Sequence, residues 1–341
     1  MTGILRVLAL ASLACFCGGG ISPVMAQQGG GVPQGTADVL PPALQAAVNA
    51  GNPQAIRQAI ATLSGGNPAR ALGLAEGVVH AAERLLTANP QVAVQLAAVA
   101  LETARVSATA NAAASQEVIS AVARVIVSPA SQRVAPDATA ALATNVVQAA
   151  SASNSSALVA SVSVAAVSLA EKMLASNPSA AVALAGATVA AVKTQAVLTS
   201  APGQSLDVIS TAARIIVTPE AQRVSPAACA QASVSISAIA SDRGVYAANP
   251  NAAMQAMASS YATVSSASVR GAVPDALGTV VGTLNQAAAN VGLNQANPAT
   301  GTQIGEILTN RYVFTKPPED RGAIPPPPVI TDGNKDKVSP S

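Results

Sequence analysis

Apolar positions along this chain return every three or four residues, at Ile56, Ile60 and Leu63, at Val92, Leu96 and Val99, and at Val118, Val122 and Val125. That spacing places them on one face of a helix, because 3.6 residues complete a turn. Asn-Pro dipeptides punctuate the pattern, with Asn at 52, 67, 89, 177, 249 and 297. An Asn there accepts from the free N–H groups of a starting helix, and a Pro at the first helical position gives up only an N–H that has no partner anyway. Ser128-Pro129 and Thr218-Pro219 repeat the device with a hydroxyl, and Pro136, Pro226 and Pro274 open further helices. The expected helices span 41–50, 53–63, 68–88, 90–108, 115–127, 137–152, 156–176, 178–198, 205–217, 227–241, 250–268, 274–290 and 302–310. β-branched runs such as Arg124 to Val127 leave a strand open as a local alternative. Connections this short favour antiparallel neighbours, so the expected fold class is all-α, an Ala/Val-rich helical repeat array in the form of an α-solenoid or a curled helical bundle.

The chain also repeats itself. Ser115 to Pro136 returns 90 residues later as Ser205 to Pro226, with 13 of 22 positions identical, including Gln132-Arg133-Val134 and Gln222-Arg223-Val224. His80 to Pro90 matches Ser168 to Pro178 at an offset of 88. A weaker echo of Arg124 to Pro129 closes the region at Arg311 to Pro317. Two copies of roughly ninety residues and a degenerate third are therefore expected, the last being atypical because a terminal unit caps an otherwise open apolar face.

These observations divide the chain into a signal peptide (1–26), a flexible Gly/Gln-rich linker (27–40), repeat copy 1 (41–136), copy 2 (137–226), a degenerate terminal copy (227–315) and a disordered Pro-rich tail (316–341). The signal is read from Arg6, the apolar run through Phe16, and Val24 and Ala26 at the −3 and −1 positions of a cleavage site. Lipidation at Cys15 is the lesser reading, because Ser12 stands where Leu is preferred. A permanent anchor is also disfavoured, since the run falls short of the roughly 20 residues that span a bilayer. Cleavage removes Cys15 and Cys17 and leaves Cys229 alone, so no internal disulfide is expected and stability must come from burial. Ala138 to Ala170 and Met173 to Val192 are uncharged, yet their Ser, Asn and Gln content argues for buried or self-associating helices, and no transmembrane segment is expected in the mature chain.

Composition narrows the function. The chain is 1 % aromatic, 10 % charged and carries a net charge of +2, so it offers neither the basic field nor the stacking platforms that nucleic acid requires. One histidine and 16 carboxylates are a thin inventory for catalysis, and no GxSxG, HExxH, phosphate-binding GxxxxGK[ST] or zinc-spaced Cys/His pair occurs. Glu76, His80, Glu83 and Arg84 share a helix face, but at the equivalent positions of copy 2 stand Val164, Ser168, Glu171 and Lys172, so the cluster reads as a solvated face. No cofactor, metal or catalytic residue is expected.

The charges that recur are Glu83-Arg84 with Glu171-Lys172, Glu117 with Asp207, Arg124 with Arg214, and Arg133 with Arg223. They are expected to form a structural latch between units, with Arg133 and Arg223 each tying one helix pair to the next. A groove for an acidic polymer lined by those two arginines is the rival. The expected protein is an exported, non-enzymatic scaffold of the bacterial envelope, periplasmic or at the cell surface, partnered with itself or with an envelope protein. The alternative is a binding module that holds an apolar ligand or an extended peptide on the concave face of the array, for which Met254, Met257 and Tyr261 would line a pocket.

Overall fold

The computed structural model describes residues 40–312, so the expected signal peptide, nearly all of the linker and the Pro-rich tail lie outside the described residues. Among the described residues all regular structure is α-helical and no strand occurs. In chain order the helices are α1 (Pro42–Asn49), α2 (Pro53–Ser64), α3 (Pro68–Leu85), α4 (Pro90–Ser107), α5 (Ala112–Val127), α6 (Pro129–Val134) and α7 (Pro136–Ala152). Then follow α8 (Ser156–Met173), α9 (Pro178–Val192), α10 (Gln195–Ser200), α11 (Pro202–Ile216), α12 (Pro219–Val224) and α13 (Pro226–Ala240). The series ends with α14 (Arg243–Ala248), α15 (Pro250–Ser265), α16 (Ala267–Ala272), α17 (Asp275–Ala288), α18 (Val291–Ala296) and α19 (Thr300–Leu308). The Arg124 to Val127 run is the last turn of α5, not a strand.

The Asn-Pro starts act as their chemistry requires. The side chains of Asn52, Asn67, Asn89, Asn177 and Asn249 each accept from a backbone N–H two or three residues on, at the heads of α2, α3, α4, α9 and α15. The sixth pair differs: Asn297 accepts from Ala299 N, and Pro298 sits in the turn before α19.

From α9 onward the chain keeps a stricter rhythm than the 90-residue match suggests. Prolines stand at 178, 202, 226, 250, 274 and 298, 24 residues apart, and each step holds one long helix and one of six residues. The six-residue helices follow the caps Thr194, Thr218, Asp242, Ser266 and Asn290, on the same 24-residue step. Their third residues, Val197, Ala221, Val245, Val269 and Leu293, are buried and pin each connector to the core. The residue before each of Pro202, Pro226, Pro250 and Pro274 is extended, with φ between −139° and −160°, because the proline ring excludes the helical conformation there and turns the corner.

The same rhythm explains why the two sequence matches differ in offset. Pro90 to Ala112 is 22 residues, filled by α4 and a short turn, whereas Pro178 to Pro202 is 24 and breaks into α9 and α10. Two added residues convert a turn into a connector helix.

The long helices pack in two rows. In one, α3, α5, α8, α11, α15 and α19 lie side by side in that order, and in the other α4, α7, α9, α13 and α17 do so, while consecutive long helices cross between the rows. Connectors α12 and α16 lead from the first row to the second and touch each other, and α10, α14 and α18 lead back and form a second file.

The core between the rows is built mostly of Ala and Val, with Leu and Ile at intervals. Small side chains let helices approach closely. They also admit buried hydroxyls, since Ser233, Ser260 and Thr263 each donate to a carbonyl four residues back and bring no unmet polar group of their own. Among the described helices one, α8, is long and apolar enough to cross a membrane, and 56 % of its apolar window is buried within the fold.

Candidate functional site

The recurring charges resolve into three groups. Arg124 and Arg214 are the ones that tie helices together. Arg124 Nε on α5 donates to Glu83 Oε1 on α3 at 2.7 Å, and Arg214 Nε on α11 donates to Glu171 Oε1 on α8 at 2.9 Å. Each pair thus clamps neighbouring helices of the first row at equivalent points.

Arg133 and Arg223 do not span helices in this way. Arg133 is exposed and donates to Pro129 O on its own helix α6, and Arg223 is exposed on α12. The inter-helix work of the Gln-Arg-Val element falls to its glutamine. Gln132 Nε2 donates to Ile126 O and Val127 O, and Gln222 Nε2 to Ile216 O and Val217 O, capping the last carbonyls of α5 and α11 from the following connector. Asn294 on α18 repeats the contact with Ala288 O of α17. Sequence reasoning weighed charge and passed over the amide. Its signal was present all the same, since Gln132 and Gln222 hold the same place in the repeated element.

Glu117 and Asp207 are exposed, near the starts of α5 and α11. Glu117 lines a groove between α5 and α8 that non-local packing creates and local sequence cannot reveal. One lobe, about 580 Å³, is lined by Ser120, Ala123, Arg124, Leu158, Val162 and Ala165 among others. A second lobe of about 530 Å³ shares Ser120, Leu158 and Ser161 with the first and continues to Gln116, Glu117 and Gln204. The groove therefore carries an acid at one end and a guanidinium at the other. Its walls are low because the facing side chains are Ser, Ala, Val and one Leu.

The two Glu–Arg clamps are not equal, and the difference lies beside this groove. Glu171 holds Arg214 through both oxygens, Oε1 to Nε at 2.9 Å and Oε2 to Nη2 at 3.3 Å, and Thr211 Oγ1 accepts from the same Nη2. Glu83 gives Arg124 only Oε1, because its Oε2 lies 3.1 Å from His80 Nδ1. Copy 2 has Ser168 in place of that histidine, and copy 1 has Ala121 in place of Thr211. The Arg124 side chain is 53 % exposed against 33 % for Arg214. Burial pushes the Glu83 carboxyl up, but the hydrogen bonds from Arg124 and His80 outweigh it and leave the group below its ordinary value.

Of the remaining candidates, Cys229, Met254 and Met257 belong to the core. Among the described residues no three His, Cys, Asp or Glu side chains gather as a metal site. His80 Nε2 is 3.9 Å from Glu76 Oε1, a loose helix-face contact. Cys229 is fully buried, and burial raises its thiol pKa to about 12, which keeps it protonated and unreactive. Met254 and Met257 are fully buried too, and Tyr261 Oη donates to Leu308 O at 3.2 Å. The methionines fill the core around α15, and Tyr261 fastens α15 to the end of α19.

Compared with models of protein families, with curated proteins and with solved structures, the chain matches none. The functional reading rests on the chain's own geometry.

Proposed function

We propose that the protein is an exported, non-enzymatic scaffold of the bacterial envelope, periplasmic or at the cell surface, built as a helical repeat array and acting through its helix faces. The observation that carries the reading is the outer face of the second row. Helix α9 contains no charged residue, and its outward positions are Ser179, Ala183, Gly186, Ala187 and Ala190. Helix α13 is equally uncharged and presents Ala227, Gln231, Ser235 and Ala238. Soluble surfaces ordinarily carry interspersed charge, and two neighbouring helices without any favour contact with another small-residue face, in a second copy or in an envelope protein.

Light scattering after size exclusion, on residues 27–341 over a wide concentration range, tests the self-associating form. A defined oligomer or growing polymer that Ala183→Glu with Ala187→Glu returns to single protomers is the expected result. A mass that stays at one protomer at every concentration removes it.

The groove between α5 and α8 favours a second reading, a module that holds an extended peptide, because one side of an array presents just such elongated surfaces. The two readings occupy different rows and do not exclude each other.

A further inference from the structure

We propose that the α5–α8 groove is a binding site for short peptides with free ends, the ligand carboxylate lying on the Nη edge of Arg124 and its amine on Glu117. The proposal rests on the peptide-module reading and gives it a ligand class.

Three observations carry it. The first is the diverted carboxylate. In the α8–α11 clamp, Glu171 occupies both Nε and Nη2 of Arg214, and no part of that fork is left for a ligand on that side. In the α3–α5 clamp His80 draws Glu83 Oε2 away, so Arg124 is held only through Nε. Among the described residues its Nη nitrogens donate no hydrogen bond to a carboxylate, and the residue lines the groove. A guanidinium fixed through Nε in the lining of a groove, with its Nη nitrogens not hydrogen-bonded to the carboxylate that holds it, is a pre-oriented carboxylate receptor, since the rigid fork costs little further ordering when it binds.

The second observation is a matched length. Glu117 and Arg124 are seven residues apart on α5, two helical turns, so both project from one face about 10 Å apart. An extended tripeptide spans about 10 Å from amine to carboxylate. Charges of opposite sign at that separation select a zwitterion of that length and fix its direction in the groove.

The third is the lining between the two charges. Leu158, Val162 and Ala165 of α8 form an apolar wall, while Ser120 of α5 and Ser161 of α8, whose hydroxyls donate to Gln116 O and Leu158 O of their own helices, line the same space. Side chains the size of Ala and Val fit such a shallow groove, and the hydroxyl oxygens can accept from peptide N–H groups.

The test is calorimetric titration of the protein with Val-Ala-Val, its C-terminal amide, its N-acetyl form, and a nine-residue Ala/Val peptide blocked at both ends. The expected result is that the amide and the N-acetyl form each bind about tenfold more weakly than the free tripeptide, the loss of one charge-assisted contact each. Arg124→Gln is expected to weaken the free tripeptide by the same factor and leave the amide unchanged, and Glu117→Gln, at an exposed position, to do the same for the amine end. His80→Ser returns the second Glu83 oxygen to Arg124 and is expected to weaken the free tripeptide several-fold while leaving the fold intact. Equal binding of free and blocked tripeptides overturns the proposal. Binding of the blocked nine-residue peptide alone, indifferent to Arg124→Gln, overturns it but keeps the peptide-module reading. Binding of none of the four overturns both.

Discussion

Within the Gln-Arg-Val shared by α6 and α12, three adjacent side chains have two different fates. Gln222 is buried and donates to two carbonyls of α11, whereas Arg223 and Val224 face solvent. Gln222→Ala is therefore expected to cost about 1–2 kcal/mol, the net of its hydrogen bonds and the carbonyls left unmet. Arg223→Ala should stay within about 0.5 kcal/mol. Urea midpoints of the two variants decide between amide and guanidinium as the latch. The sequence exposed the recurrence of this element but not the division of labour inside it, because partner choice depends on which way a six-residue helix is rolled. The Arg124 and Arg214 clamps were visible as recurring charges. Their carboxylates recur as well, but lie 41 and 43 residues away, so only the packing of α3 on α5 and α8 on α11 pairs them. Glu83 supplies a pH signature. Its folded pKa is below the ordinary 4.5, so its contribution to stability is complete above that value and disappears as pH falls through the lower folded value. Glu83→Gln should lose stability at neutral pH, and the gap to the parent protein should close as thermal melts are taken progressively below pH 4.5.

At the scale of elements, helical periodicity and proline caps placed the long helices well. Expected 90–108 is α4 at Pro90–Ser107, and expected 227–241 is α13 at Pro226–Ala240. What periodicity missed is every six-residue helix, and the expected 178–198 ran α9 and α10 together. Six residues are fewer than two turns, too few for an apolar face to recur. The alternative cue was the 24-residue spacing of prolines, which fixes where each connector must end. Connectors α16 and α18 each bury one residue, Val269 and Leu293, so their stability is concentrated there. Leu293→Ala in α18 is expected to cost about 2–3 kcal/mol, as for other fully buried leucines. Val291→Ala, two residues earlier and 71 % exposed, should cost less than about 0.5 kcal/mol. Chemical denaturation of the pair measures the contrast.

For the whole molecule, the alternation of rows means that from α9 onward two steps, 48 residues, return a helix to its own row. Deleting Pro178 to Ser225 joins Asn177 to Pro226 and puts α13 where α9 stood, in the row it already belongs to. The shortened chain should unfold cooperatively by circular dichroism. Deleting the 24 residues Pro178 to Ala201 puts α11 in the wrong row and turns its apolar face to solvent, so that chain should bind a hydrophobic dye and melt without a sharp transition. The clamps have a further consequence along the length of the array. Carboxylate–guanidinium clamps tie α3 to α5 and α8 to α11, while between α5 and α8 there is a groove, and among the described residues no ion pair crosses it. Under tension that junction is then expected to yield before the clamped ones on either side of it. A single-molecule pulling trace should show compliance there at low force, before any helix is lost, and whatever fills the groove stiffens the junction.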